Sequence, residues 1–261
     1  MSEFPVTVND SRQALPVDFE FPPFFSFSTA LGSAFKFCKD NALFFHKVVF
    51  AFYIPFLLPQ YLLKVVGGGG VLSALLPLLH QLTLPIMTGA LIYGAIHWYR
   101  TGANPQLSDC FKWGVKKWWP IFVASILTAI ATGFGFLLLV IPGIIFFTMF
   151  SISSQIAAAE NVAPLQAMNR SIELTSGYRW RIFGTLFSAC LITYVISFAI
   201  SKTVLAESQP LAADLIAVIV RGLLGGFDTV LALVIYLGII SARNLEASYP
   251  SEPALAIAAE R

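Results

Sequence analysis

The sequence predicts an all-α fold: a polytopic transmembrane bundle of about six helices in three hairpins, with short amphipathic helices on the cytoplasmic side. Three observations predict it. Hydrophobic residues make up 57% of the chain and charged residues only 11%, against roughly half and a quarter in ordinary soluble domains. Apolar stretches long enough to cross hydrocarbon, about 20 residues each, recur along the whole chain. Basic residues gather on alternate connections, as the positive-inside rule requires of cytoplasmic segments. A soluble fold of 261 residues could not hide so much apolar surface.

Residues 1–27 carry Glu3, Asp10, Asp18 and Glu20 against the single Arg12. A cleavable leader has a basic start and a short apolar run. The segment is therefore expected to be a polar cytoplasmic tail. Residues 28–243 form the expected six-helix membrane domain. Residues 244–261, punctuated by Pro250 and Pro253, form a second cytoplasmic tail.

The expected spans are 42–66, 71–99, 119–141, 143–159, 180–205 and 211–242. The fourth carries Ser151, Ser153, Ser154 and Gln155 in its second half, and reaches spanning length if Gly143 opens it after a tight turn at 141–143. The sixth exceeds a simple span and is expected to bend near Gly222, Gly225 and Gly226. Connections 67–70, 141–143 and 202–210 are short, with only Lys64 and Lys202 as bases on that side. The other side holds Lys36, Lys39 and Lys47, then Arg100, Lys112, Lys116 and Lys117, then Arg170, Arg179 and Arg181, then Arg243. This places both termini of a multi-pass membrane protein in the cytoplasm. Trp98, Trp118, Trp119 and Trp180 mark the same boundary, where indole rings prefer to sit.

Each hairpin is preceded by a short amphipathic segment bearing a base: Ala34-Phe35-Lys36-Phe37, Cys110-Phe111-Lys112-Trp113 and Met168-Asn169-Arg170-Ser171. Three units of one orientation make a parallel repeat. The amphipathic pieces are expected in the interface, apolar side towards lipid. The best patterned runs from Pro164 to Gly177. Pro164 suits a first helical turn and Gly177 a left-handed stop. Leu165, Met168 and Ile172 share a face at helical spacing, and Arg170 and Glu173 lie three apart on the polar side.

Ile141-Pro142-Gly143, Glu160, Pro164, Ala167, Arg170-Ser171, Glu173-Leu174-Thr175, Gly177, Trp180-Arg181 and Phe183 together resemble the membrane domain associated with glycerophosphoryl diester phosphodiesterases and the related YciC-like inner-membrane proteins. The specific part covers 137–186. The resemblance implies a six-span domain whose function is poorly defined. Ile172 stands where the family often has Trp, and Met149 near where relatives often carry a base. The family's phosphodiesterase catalytic domain, with its paired histidines and acidic metal ligands, has no counterpart among three scattered histidines.

Ionisable groups inside lipid are costly and are candidates for function by default. Arg221 and Asp228, seven residues apart, project from nearly one helix face. They read as a polar site or ion path. They also read, with preference, as a snorkelling Arg221 at the interface and Asp228 about one turn inside. His80 and Gln81, between Pro77 and Pro85, read as a cavity lining or, by preference, as an interhelical hydrogen bond. Gly133 and Gly135, with Thr128 and Ala131, suit close helix packing. Cys38, Cys110 and Cys190 are spaced for neither a disulfide framework nor zinc; palmitoylation of Cys38 or Cys110 rests on position alone. No set has metal-ligand spacing, the 67–70 glycines lack the Lys-Ser/Thr of a phosphate loop, and topology accounts for the basic clusters without nucleic acid. The expectation is a non-enzymatic membrane protein without cofactor, partnered by the bilayer, serving as an accessory or scaffold of a membrane process. A small-solute transporter or channel is the alternative, and a membrane-embedded lipid enzyme stands lower.

Overall fold

The computed structural model describes residues 27–65, 70–205 and 210–248. The tails at 1–26 and 249–261 and the connections at 66–69 and 206–209 lie outside the described residues, as do some side chains of the long helices, that of Arg221 among them.

Among the described residues every regular element is α-helical. The order is α1 Phe27–Asp40, α2 Ala42–Val65, α3 Val71–Thr101, α4 Leu107–Lys116, α5 Trp118–Leu138, α6 Val140–Phe150, α7 Ser153–Ala159, α8 Pro164–Thr175, α9 Arg179–Leu205 and α10 Pro210–Ser248. Five stretches are long and apolar enough to cross a membrane: Leu75–Thr101, Trp118–Leu138, Val140–Ala159, Arg179–Ala199 and Gly222–Arg243. The described apolar part of α2, Ala42–Phe56, is shorter. The fold is that of a multi-pass helical membrane protein.

The core is gathered at one end of the bundle. Ala30, Ala34 and Phe37 of α1, Phe44, Phe45, Val48, Val49 and Phe52 of α2, Ala90 to Ile96 of α3, Ile121 and Ala124 of α5, Ile156 to Ala159 of α7, and Val230 to Ile239 of α10 supply most of its buried apolar side chains. Val230 to Ile239 is buried without interruption. A helix apolar on every side is stable only when other helices or lipid surround it, and here other helices do. Towards the other end the same helices carry exposed apolar side chains: Leu75, Leu78 and Leu82 on α3, Ile126, Ile130 and Phe134 on α5, and Leu191 to Ile196 on α9. Lipid is the solvent that such surface needs.

Glycines set the crossings. A Cβ on Gly89 of α3 would stand 2.9 Å from the Gly114 Cα of α4, and one on Gly114 would run into the Ile86 carbonyl oxygen. Gly94 lies under the Phe44 ring, and a Cβ on Gly226 would come within 2.8 Å of Val49. Of the two glycines expected to pack α5 closely, only Gly135 does so, against Phe146 and Gly143; Gly133 faces open space.

Two expectations about local structure are corrected. The turn between the third and fourth spans is not at 141–143. Leu139, extended at φ −166°, ψ 160°, is the one non-helical residue between α5 and α6. Pro142 sits in the first turn of α6, where its missing N–H costs nothing. The short amphipathic helices also do not turn their whole apolar faces outward. Cys110, Trp113 and Gly114 of α4 are buried, as are Ala167, Met168 and Leu174 of α8. Neighbouring helices offer apolar surface closer than lipid does. In α8 only Leu165, 65% exposed, keeps the expected orientation in full. The bend expected near Gly222, Gly225 and Gly226 would fall inside one continuous helix, since α10 runs from Pro210 to Ser248.

Candidate functional site: a polar network at the packed end

The candidate span Val140–Ala159 is built in two pieces. Thr148 Oγ1 donates to the Ile145 carbonyl at 2.8 Å and Ser151 Oγ to the Thr148 carbonyl at 2.9 Å. Such local bonds compete with the helical ladder, and the helix is interrupted at Ser151–Ile152. The Met149 carbonyl takes a bond from Ser171 Oγ of α8 at 2.7 Å. Thr128 and Ser153 share a hydroxyl–hydroxyl bond of 2.7 Å across α5 and α7.

α7 ends at Glu160, whose backbone is extended, and Pro164 opens α8 three residues after Asn161. Extended backbone at Ala163 follows from the proline after it. Gln166 Oε1 accepts the Ala163 N–H at 3.1 Å and so closes the start of α8. The carbonyls left over at the end of α7 are met from α4 and the turn after it. Trp113 Nε1 donates to the Ala158 carbonyl at 3.1 Å, and Lys117 Nζ to the Glu160 carbonyl at 3.0 Å. A cation suits the negative end of a helix. Lys117 is only 4% exposed, and its ammonium also lies 5.4 Å from the Trp113 ring centroid. Burial, and then the neighbouring Lys116, hold its pKa below the usual lysine range.

The Glu160 side chain is the centre of the network. Its Oε1 accepts the Tyr236 hydroxyl of α10 at 3.0 Å, and its Oε2 faces Arg170 Nε at 3.9 Å. Arg170 also reaches Glu173 at 3.7 Å. Arg243 of α10 donates to the Ser176 carbonyl at 2.7 Å and the Glu173 carbonyl at 3.3 Å, and its guanidinium lies 5.8 Å from the Tyr178 ring centroid. It caps α8 where Gly177, at φ +85°, reverses the chain. Thr175 Oγ1 donates back to the Ser171 carbonyl at 2.7 Å.

The structure thus brings together Glu160, Arg170, Ser171, Glu173, Thr175 and Gly177 of the patterned segment. Pro142 and Gly143 lie apart at the α5–α6 turn, with Gly143 against the Phe136 ring. Trp180, 76% exposed, and Arg181 project at the start of α9. The intramembrane set is more dispersed. The His80 ring packs edge-on against Tyr53 at 4.7 Å and tilted against Phe56 at 5.3 Å, and His80 Nε2 is buried with no hydrogen-bond partner among the described residues. Tyr53 in turn covers Gly222 of α10. Gln81 faces outward, exposed. Asp228 is half-buried and, among the described residues, has no hydrogen-bonding or ionic partner. The Arg221 side chain lies outside the described residues, so its pairing with Asp228 is not among them.

Tyr236 was not singled out from the sequence, and Lys117, Trp113 and Arg243 were read there as topology and interface markers, not as groups that cap helix ends. A lone phenol in an otherwise apolar run was the available signal for Tyr236. Cys110 is fully buried and its thiol is pushed up to about 12, chiefly by burial; burial likewise raises half-buried Cys38 to about 12. Cys110 thus presents no exposed thiol for acylation in this fold. Among the described residues no group of His, Cys, Asp and Glu is placed to hold a metal.

The arrangement can fasten helix ends to one another. Compared with known proteins, the chain matches no family model, no curated protein and no solved structure.

Proposed function

We propose that this is a six-span, non-catalytic protein of the inner membrane, with both termini cytoplasmic, that serves as an accessory or scaffold of a membrane process. We place it with the membrane domains associated with glycerophosphoryl diester phosphodiesterases on the patterned segment around Arg170. α2 completes the six spans and each hairpin follows one short helix: α1, α4 and α8. The observation that carries the reading is where the Glu160 network spends its bonds. Lys117, Trp113, Ser171 and Arg243 all donate to backbone carbonyls, Tyr236 donates to the remaining carboxylate, and Arg170 lies beside it at 3.9 Å. Groups engaged in this way hold helices in register and are not poised to take a substrate. Purified protein in liposomes is expected neither to cleave glycerophosphodiesters or phospholipids nor to pass small ions. Turnover that disappears on substituting His80 would sink the reading.

A small-solute transporter is the second reading. The partnerless His80 nitrogen and the interrupted fourth span favour it, since broken helices and intramembrane polar groups line solute paths. A flux lost in Asp228→Asn at unchanged thermal stability would establish it over the scaffold.

A further inference from the structure

The α5–α6 turn is made of apolar residues throughout. Residues 133–147 carry no polar side chain. Leu137, Leu138, Leu139, Val140 and Ile141 at its tip are all among the exposed large hydrophobics. A turn that emerges into water normally carries polar or charged residues. This one also satisfies much of its own backbone. The Leu139 N–H donates to the Gly135 carbonyl and the Leu139 carbonyl accepts from the Gly143 N–H, each at 3.1 Å. Pro142 removes one of the orphan donors at the start of α6. Close contact of Gly135 with Gly143 keeps the two helices together up to the turn.

Length agrees. α5 has 21 residues, so it is about 31 Å long at 1.5 Å per residue. The hydrocarbon layer is about 30 Å thick. Measured from Trp118 and Trp119, which suit one interface, the helix reaches the far edge of the hydrocarbon and stops there.

We infer that the α5–α6 turn does not emerge into water on the far side but stops at the far edge of the hydrocarbon, its exposed Leu137–Ile141 surface covered by acyl chains. This rests on the reading of α5 as a span. The test is site-directed spin labelling of the full chain in bilayer nanodiscs, with Cys38, Cys110 and Cys190 replaced by Ala, at Ile130→Cys and Leu139→Cys. Ile130 is exposed midway along α5 and reports on the span itself. Both labels are expected to collide with dissolved oxygen and to be shielded from a water-soluble nickel chelate. A chelate-accessible Leu139 label beside a shielded Ile130 label overturns the inference and leaves the span. A chelate-accessible Ile130 label overturns the span as well. A Leu139 label shielded from both agents means that protein, a second copy or a partner, covers the turn, and this too overturns the inference. Should the cysteine-free chain fail to fold, Val140→Lys in the native background gives an independent reading. Its thermal midpoint in nanodiscs should fall well below that of Val140→Ala, and equal midpoints would place the turn in water.

Discussion

At the scale of single residues, the Glu160 network separates strong contacts from weak ones. The Tyr236 hydroxyl is buried with its ring, and a hydrogen bond to a charged acceptor contributes roughly 1.5–3 kcal/mol. Tyr236→Phe should cost about that much in thermal or denaturant unfolding in detergent. Arg170 is about half exposed, 47% at its side chain, and its two carboxylate contacts lie at 3.7 and 3.9 Å. Exposed pairs of this kind contribute under about 1 kcal/mol, so Arg170→Gln should be mild. A larger loss for Arg170→Gln than for Tyr236→Phe would reverse this ranking. Lys117 yields a pH dependence. Its folded pKa lies below the ordinary 10.5, so the unfolded chain holds that proton more tightly. Between the lowered value and 10.5 the unfolded state binds more protons, and stability from this group rises with pH. Unfolding profiles of wild type and Lys117→Met should differ by that upward slope; identical slopes would remove it.

At the scale of helices, close approach is concentrated at a few glycines, and substitutions should discriminate sharply. Gly114→Ala would thrust a methyl into the Ile86 carbonyl, and overpacking of this kind costs about 1–3 kcal/mol. Gly133→Ala meets nothing within 4 Å and should stabilise α5 by roughly 0.5–1 kcal/mol. Equal effects in paired melts would mean that α3 and α4 do not cross at Gly114. Such crossings were hard to read in the sequence. Gly133 and Gly135 look alike there, and only the direction each faces tells them apart. The helices themselves were legible because runs of spanning length need no tertiary information. Pro164 and Gly177 fixed the ends of α8 for the same reason: their backbone preferences are local. The inward faces of α4 and α8 were not legible, because an amphipathic pattern does not say whether lipid or a neighbouring helix takes the apolar side. Within the candidate site, Arg170 and Glu173 were readable from their spacing of three. Tyr236 and Lys117 were not, since their partners lie 76 and 43 residues away in the chain.

At the scale of the whole molecule, burial is polarised, with a protein-packed end and an end left to lipid. The proposed six-span arrangement would put the basic, packed end in the cytoplasm. Cysteines placed at Gly68 and Glu207 should then react with a membrane-impermeant maleimide from outside, and one at exposed Lys112 only after the membrane is opened. External labelling at Lys112 would invert the topology. Cys110 is a poor reporter for this purpose, because its buried thiol should stay unreactive until the protein unfolds. The packed end also has a consequence for how the chain is made. The bonds that close it, from Tyr236 to Glu160 and from Arg243 to Ser176, both come from α10, which leaves the ribosome after α7 and α8. Until α10 is synthesised, α7 and α8 wait in the membrane without them, so a nascent chain stalled before Tyr236 should be far more open to protease at 160–178 than the finished protein.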